Sequence, residues 1–272
     1  MRSGRTLVVG VVAGCGGGGA STLASALAVT GARAGARVLL VDADPLGGGI
    51  DLVFGAEQLG GLRWPVLAGD GMARHRAAGD GAARHRAAGD GAAVRIRPQT
   101  LAASLPVSHG VAMLSTDRDL PGGIAVPAMQ ALLTAAALAY DLIVLDLPRE
   151  FGAAAAFAVG RARAVLLVVP AQVRAVAAAS GVAVALVSRG APLHLVVRGP
   201  APSGLQAGDI SGALGLPPAR WLDPEPGLAR ALERGEPPAR HGHGPLARLC
   251  RNLLADLSGA TFVPGRSAES PG

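Results

Sequence analysis

Gly14-Cys15-Gly16-Gly17-Gly18-Gly19-Ala20-Ser21-Thr22 follows an apolar run at 6–13 and opens a helix-like run at 22–34. The stretch fits the phosphate-loop pattern G-x-x-x-x-G-K-[ST], with Ala20 where the pattern has lysine. Glycines let successive backbone N–H groups turn toward one anion, at the positive end of a helix. A lysine at position 20 would reach the terminal phosphates of a nucleotide. The stretch therefore predicts nucleotide binding and at the same time removes a charge on which nucleotide hydrolysis depends.

Outward from this loop, strand-like runs alternate with helix-like runs. Strands are expected at 6–13, 37–42, 111–115, 141–146, 164–169, 193–198 and 220–222. Several are continuous Val/Ile/Leu runs, as strands covered on both faces require. Ala-rich helices are expected at 21–34, 125–139, 173–187, 205–214 and 227–234, and Pro245 starts a further one that reaches Leu257. The alternation predicts an α/β fold: a single, doubly wound, mostly parallel sheet of about seven strands with helices on both faces. One such domain is expected over 1–258, with a flexible tail at 259–272.

The rhythm breaks at 66–98, read as a repeat-rich, disordered loop. Residues 70–79 are DGMARHRAAG, residues 80–89 are DGAARHRAAG, and Asp90-Gly91-Ala92-Ala93 begins a third copy. The repeat is too short and too polar for a solenoid unit. Its Arg-His-Arg triplets offer charge to phosphates or acidic lipid, but a solvated insertion is the simpler reading. Near the C-terminus, Leu246, Leu249, Cys250, Leu253, Leu254 and Leu257 form one apolar stripe bordered by Arg248 and Arg251. Such a stripe is either the last helix packed on the sheet, which is preferred, or a peripheral contact with the inner face of the plasma membrane.

Half of the residues are hydrophobic while aromatics are scarce, so Ala, Val and Leu must build the core. All 25 basic residues are arginine, a bias that fits a GC-rich genome. The net charge of +6 invites an anionic partner. The arginines are scattered and no aromatic platforms interleave with them, which argues against direct nucleic-acid binding. Cys15 and Cys250 make no disulfide framework or metal site and fit a reducing compartment. No apolar run is long enough to span a bilayer, and the expected location is the cytoplasm. Val12-Ala13-Gly14-Cys15 imitates a lipoprotein cleavage box, but a lipoprotein tether would not continue into Leu23-Ala24-Ser25-Ala26-Leu27-Ala28.

The loop also satisfies G-x-G-x-x-G through Gly14, Gly16 and Gly19, and Asp42 ends the next strand as a ribose-binding acid would. A dinucleotide-binding Rossmann domain is therefore a competitor. Three features separate the two. Ser21 and Thr22 supply hydroxyls for Mg²⁺ and phosphate that a Rossmann turn does not need. Val41-Asp42-Ala43-Asp44-Pro45 places two carboxylates past a strand end, with Asp51 beyond a glycine run. Leu142-Ile143-Val144-Leu145-Asp146-Leu147-Pro148 is an apolar strand ending in aspartate, the Walker-B arrangement. A single strand-end aspartate is usually a cap or turn former; three ordered elements together are not explained that way.

The segments GCGGGGASTLASALA, VLLVDADPLGGGIDLVFGAE and DLIVLDLPRE resemble the deviant Walker-A ATPases of the MinD/ParA superfamily, P-loop NTPases of the SIMIBI type. GLRWPVLAG, LLVVPAQVRAVAAA and PEPGLARALERGEPP narrow the resemblance to a CpaE/TadZ-like branch. That branch includes actinobacterial septum-site-determining proteins encoded near secretion or pilus-assembly ATPases. The resemblance covers most of 6–257 outside the repeat. The family loop, K-G-G-x-G-K-[ST]-T, has a signature lysine that reaches a dimer partner's phosphates and a second that holds phosphate in its own subunit. Cys15 and Ala20 stand in those places here. Lys-to-Arg drift in a GC-rich genome would have kept the charge; Ala20 keeps none.

By the same resemblance, Gly14, Cys15, Gly16, Gly17, Gly18, Gly19, Ala20, Ser21 and Thr22 cradle the phosphates of ATP or ADP. Ser21 is the Mg²⁺-binding hydroxyl, Asp44 the acid that helps activate water and holds the metal, Asp42 its support, and Asp146 the acid aimed at Mg²⁺ through water. Arg198 ends the strand where the family often carries a base-reading Asn, and Pro224 and Glu225 fall in the segment flanking adenine. Arg149, just past Asp146, is placed to replace part of the lost charge. The implied function is a localisation or scaffold factor for septum placement or pilus/secretion assembly, homodimeric, partnered by a division-machinery or secretion/pilus protein, with weak or absent hydrolysis. The alternative is an ATPase that cycles like MinD or ParA. Many branch members carry a receiver-like module before the ATPase region; this sequence opens on the first strand and is read as lacking it.

Overall fold

The computed structural model describes residues 6–67, 96–118 and 122–259; most of the 66–98 segment, including the 70–93 repeat, and the tail past Gly259 lie outside the described residues. The strands are β1 (Leu7–Ala13), β2 (Val38–Asp42), β3 (Val107–Ser108), β4 (Val111–Leu114), β5 (Leu142–Leu147), β6 (Ala164–Pro170), β7 (Leu193–Arg198) and β8 (Arg220–Leu222). They form one eight-stranded sheet in the order β3-β4-β2-β5-β1-β6-β7-β8. Every neighbouring pair is parallel except β3 with β4.

The seven expected strands are present, within a residue or so at their ends. The eighth, β3, was not anticipated. It is a two-residue antiparallel edge strand that pairs Val107 with Ala112 and Ser108 with Val111. His109 and Gly110 form its turn with φ of 51° and 77°. Positive φ at both positions of a two-residue turn matches the twist of a hairpin. His-Gly is a weak signal for it beside Asn-Gly.

The helices are α1 (Ala20–Arg33), α2 (Trp64–Leu67), α3 (Pro98–Ser104), α4 (Val126–Ala139), α5 (Ala153–Arg161), α6 (Val173–Val187), α7 (Ala207–Leu214), α8 (Leu228–Leu232) and α9 (Pro245–Ser258). Short α2, α3 and α5 escaped the periodicity reading. In α5, AAAAFAV has almost no polar residue to mark an outer face.

Alternation along the central strands divides the core into two layers. Val9 and Val11 of β1, Val38 and Leu40 of β2, and Leu142 and Val144 of β5 pack with Leu23, Leu27 and Val29 of α1 and with α9. Val12, Leu39, Val41, Ile143 and Leu145 point the other way, toward α3, α4, α5, α6 and α7. Helices on both faces explain why β6 is buried along its whole length and why the strands read as unbroken apolar runs.

The C-terminal stripe belongs to this core. Leu246, Leu249, Cys250, Leu253 and Leu254 are buried and Leu257 is packed at the margin, all against the α1 layer. Burial also pushes the Cys250 thiol well above its ordinary value, leaving it protonated and inert. Among the described residues no helix is long and apolar enough to cross a membrane.

Leu253→Ala should cost about 2–5 kcal/mol in a urea titration, as a large-to-small change in a packed core does. Capture by acidic-lipid vesicles should be the same for wild type and variant. Selective loss of capture without loss of stability would mean that the stripe works at a membrane.

Candidate functional site

The carboxyl ends of β1, β2, β5, β6 and β7 lie along one edge of the sheet, where open α/β sheets place their ligands. The glycine loop leaves β1 there. The Gly14 N–H donates to Val168 O of β6 at 2.8 Å, and the Gly18 N–H donates back to Cys15 O at 3.1 Å, closing a tight turn. Gly17 has φ of 67° and Gly19, the residue before α1, has φ of 100°. Both values are ones that side chains rarely adopt, so glycine is required at each. Helix α1 starts at Ala20, and the Leu23 N–H already donates to Gly19 O at 3.0 Å. The N–H groups of the loop and first turn are thus gathered around the start of a long helix. Gly16, Gly17 and Ser21 are exposed, whereas Ala20 is only 8% exposed and packs into the core beneath.

Two carboxylates stand beside the loop. The parallel register of β2 and β5 pairs Asp42 with Asp146. Both follow the parity of the residues that face α1, so both project to the loop side of the sheet. Asp42 is 2% exposed and Asp146 is 5% exposed. Burial pushes the Asp146 carboxyl from 3.8 up to about 7; the charges of Asp42 and Asp44 add to the rise, and a hydrogen bond from the Ser21 hydroxyl opposes it. Burial likewise pushes Asp42 up to about 6. Asp42 is held by the N–H groups of Asp44 at 3.2 Å and Ile50 at 3.1 Å, and by the Thr116 hydroxyl at 3.4 Å.

Asp44 is half-buried, and its carboxylate accepts from the Leu46 N–H at 3.1 Å, within the turn 44–47. This turn carries Leu46 outward to 90% exposure. Asp51 is differently placed from its neighbours in sequence. It is buried, pairs with Arg118 Nη2 at 2.6 Å and Arg63 Nη2 at 3.8 Å, and caps the turn at Leu52–Phe54. Those partners take it out of the phosphate site and make it an anchor for the segment after β2.

Two arginines approach the loop. A side-chain carbon built on Gly16 would lie 4.0 Å from Nη2 of the exposed Arg149. Arg198, the last residue of β7, sends its Nη2 to Gly17 O at 3.4 Å. The end of β7 has a second side, where Gly199 lies against Trp221 and Pro224. Glu225 is turned elsewhere: its Oε2 accepts from the Leu246 N–H at 2.9 Å and caps α9. The structure therefore gathers Gly14 to Thr22, Asp42, Asp44, Asp146, Arg149 and Arg198 at one sheet edge, with Pro224 beside it and Glu225 committed to a helix. Sequence reasoning missed Trp64 and Thr116. The Trp64 indole donates to Asp42 O at 2.6 Å, and both residues pin that strand end.

The donor set suits a hard, small divalent cation. A serine hydroxyl already touches a buried carboxylate with a raised proton affinity, which a cation would displace. Among the described residues no group of three or more His, Cys, Asp or Glu closes on one point. Mg²⁺ takes one or two protein oxygens and leaves its other positions to phosphate and water.

No protein-family model matches the chain. Two uncharacterised proteins of Mycobacterium tuberculosis are 38% identical to it over 231 residues, which is 84% of this chain and 57% of theirs. The chain thus spans little more than half the length of these curated relatives. Among solved structures, the septum site-determining protein MinD from Pyrococcus horikoshii, complexed with Mg-ADP, matches with a TM-score of 0.70 at 18% identity, covering 93% of this chain and 99% of that one. A ParA family ATPase from Chlorobium tepidum matches with a TM-score of 0.72 at 14% identity, covering 92% and 97%. The MinD cell division protein of Aquifex aeolicus matches with a TM-score of 0.66 at 22% identity, covering 92% and 97%. The glycine loop, the paired aspartates and the sheet order thus stand on the fold of the MinD and ParA P-loop ATPases.

Proposed function

We propose that this protein binds ATP or ADP with Mg²⁺ at the Gly14–Thr22 loop and acts as a nucleotide-responsive localisation or scaffold factor with weak or absent hydrolysis. The observation that carries the reading is the pair of buried carboxylates, Asp42 and Asp146, beside a positive-φ glycine loop whose lysine position holds a buried alanine. Ser21 and Asp146 would hold Mg²⁺, which when bound offsets the negative charge of the phosphates. The loop N–H groups hold phosphate oxygens in either case. Asp44 stands where it can orient water, and the loop supplies no ammonium from position 20 to stabilise charge that develops during phosphoryl transfer.

The process served is septum placement or pilus/secretion assembly, in the manner of a CpaE/TadZ-like branch, on sequence resemblance. The MinD fold match supports the septum side of that pair. A homodimer, a division-machinery or secretion/pilus partner, and a cytoplasmic location with peripheral membrane contact belong to the same proposal. The complex of MinC with MinD from Aquifex aeolicus, which shares this fold with a TM-score of 0.66, supports a partner-binding role. The second reading, an ATPase that cycles like MinD or ParA, is favoured by one observation: the exposed Arg149 guanidinium stands by Gly16 and returns charge to the loop.

Titration calorimetry should show ATP binding that strengthens with Mg²⁺, and single-turnover hydrolysis should be slow. Ala20→Lys should raise the hydrolysis rate by about tenfold or more, the scale of one well-placed charge. Wild-type turnover matching lysine-bearing MinD relatives would overturn the weak-hydrolysis reading. Absence of binding at millimolar ATP would leave only a scaffold.

The raised carboxyls set a pH dependence with a definite sign. Asp146 at about 7 and Asp42 at about 6 bind protons in the folded state that the unfolded chain, near 3.8, does not. Ligand-free stability should therefore rise as pH falls from about 8 to about 5. Mg²⁺ needs ionised Asp146, so the Mg²⁺-dependent part of ATP affinity should fall over the same range. Asp146→Asn should melt higher than wild type near pH 8 and show no Mg²⁺ enhancement. A melting temperature that drops steadily below pH 7 in the wild type would contradict the assignment.

A further inference from the structure

Resting on that reading of the loop as a nucleotide-phosphate site, we infer that Arg198 is a phosphate-binding residue, reaching from the end of β7 to supply the cation that position 20 lacks. By family resemblance this position reads the nucleotide base. The geometry points to the other end of the ligand.

The Arg198 stem lies against the loop. A carbon built on Gly19 would sit 3.6 Å from Cδ and 3.7 Å from Nε of Arg198. Its Nη2 reaches only Gly17 O, at 3.4 Å, the long limit of a hydrogen bond. Its Nε is buried and, among the described residues, has no hydrogen-bond partner. Among the described residues no carboxylate lies within ion-pair range of it. A guanidinium has five donors in a planar fork, is always charged, and matches phosphate oxygens bidentately. Here that fork is held by its stem over the glycines that would present N–H groups to an anion, with a buried donor still unpaired among the described residues. Leaving such a donor without an acceptor is costly, and a phosphate oxygen removes the cost.

The base side of the same strand end is a separate surface. Gly199 faces Trp221 and Pro224, away from the glycine loop. Arg198 follows the parity of Val196, which faces the α1 layer, so its side chain projects to the loop side of the sheet. Arg149 is a weaker candidate. It is exposed, and its Nη2 reaches no closer than 4.0 Å from the carbon built on Gly16. Replacing a lysine by an arginine from another strand also changes the chemistry. The guanidinium binds ground-state phosphate firmly in a fixed plane, whereas a flexible ammonium on the helix can follow the transferred group. Phosphate retention with slow turnover is the combination this geometry produces.

The test measures binding of ATP, GTP, adenosine and inorganic tripolyphosphate, each with Mg²⁺, to wild type and to Arg198→Ala, Arg198→Gln and Arg198→Lys. Thermal melts accompany each variant to confirm folding. Arg198→Ala and Arg198→Gln should weaken ATP, GTP and tripolyphosphate together, by about tenfold to a hundredfold, the scale of a charged hydrogen bond. Adenosine binding and the ATP-to-GTP ratio should not change. Arg198→Lys should recover part of the tripolyphosphate affinity, and the salt dependence of tripolyphosphate binding should be shallower in Ala and Gln than in wild type. A variant that melts like wild type, binds tripolyphosphate as well as wild type and shifts the ATP-to-GTP ratio would overturn the inference and make Arg198 a base reader. Wild-type protein that binds tripolyphosphate through Arg198 but neither ATP nor GTP would uphold the phosphate site and overturn the nucleotide reading. Wild-type protein that binds none of these would overturn both.

Discussion

The parallel pairing of β5 between β1 and β2 is the constraint from which the site follows. The register sets Val11 beside Asp146 and Asp42 beside Asp146. Strand parity then turns both carboxyls to the face where α1 begins. Two acids buried side by side are costly, since each is taken out of water and raises the proton affinity of its neighbour. The cost is met locally. N–H groups from Asp44 and Ile50 and the Thr116 hydroxyl hold Asp42, and the Ser21 hydroxyl holds Asp146. A slip of β5 by one residue in this pairing would turn Asp146 into the apolar layer of α4 and α5 and leave Asp42 behind.

The same register explains why the glycine loop is tight. Gly14 is close to α6 as well as to β6, and a carbon added to it would meet Ala179 Cβ at 2.5 Å. The loop is thus wedged between a helix and a strand end before it turns into α1. Gly17 and Gly19 add the positive φ values that let backbone N–H groups turn toward one point. The nest is formed by backbone and packing, and it survives without either lysine. What those residues would add is charge. Charge at this edge comes from arginines carried by other strands, Arg149 past β5 and Arg198 at the end of β7.

Asp51 and Glu225 show how proximity in sequence can mislead. Asp51 lies close to Asp42 and Asp44 in the chain, yet it is bound to Arg118 and Arg63 and caps a turn. Arg118 follows β4, and nothing local to Asp51 announces that pairing. Glu225 sits in the segment expected to flank a base, yet it caps α9. In both cases a long-range partner satisfied the carboxylate before a ligand was needed.

Local pattern alone determined the elements that carry the chemistry. Strand-like runs, several of them unbroken Val/Ile/Leu, marked seven strands, the glycine run marked the loop, and Asp42, Asp44 and Asp146 marked the strand ends. These were legible because β-strand periodicity, glycine conformational freedom and helix capping act over a few residues. Tertiary structure decided what required distant partners. It set the order of strands, the burial of the C-terminal stripe against α1, the edge strand β3, and the committed carboxylates of Asp51 and Glu225. It also decided the direction of Arg198, whose sequence position suits a base but whose stem lies on Gly19. The physical reason is that a side chain's role follows from the charges, donors and surfaces that folding brings to it. For Arg198 those come from a loop far away in the chain.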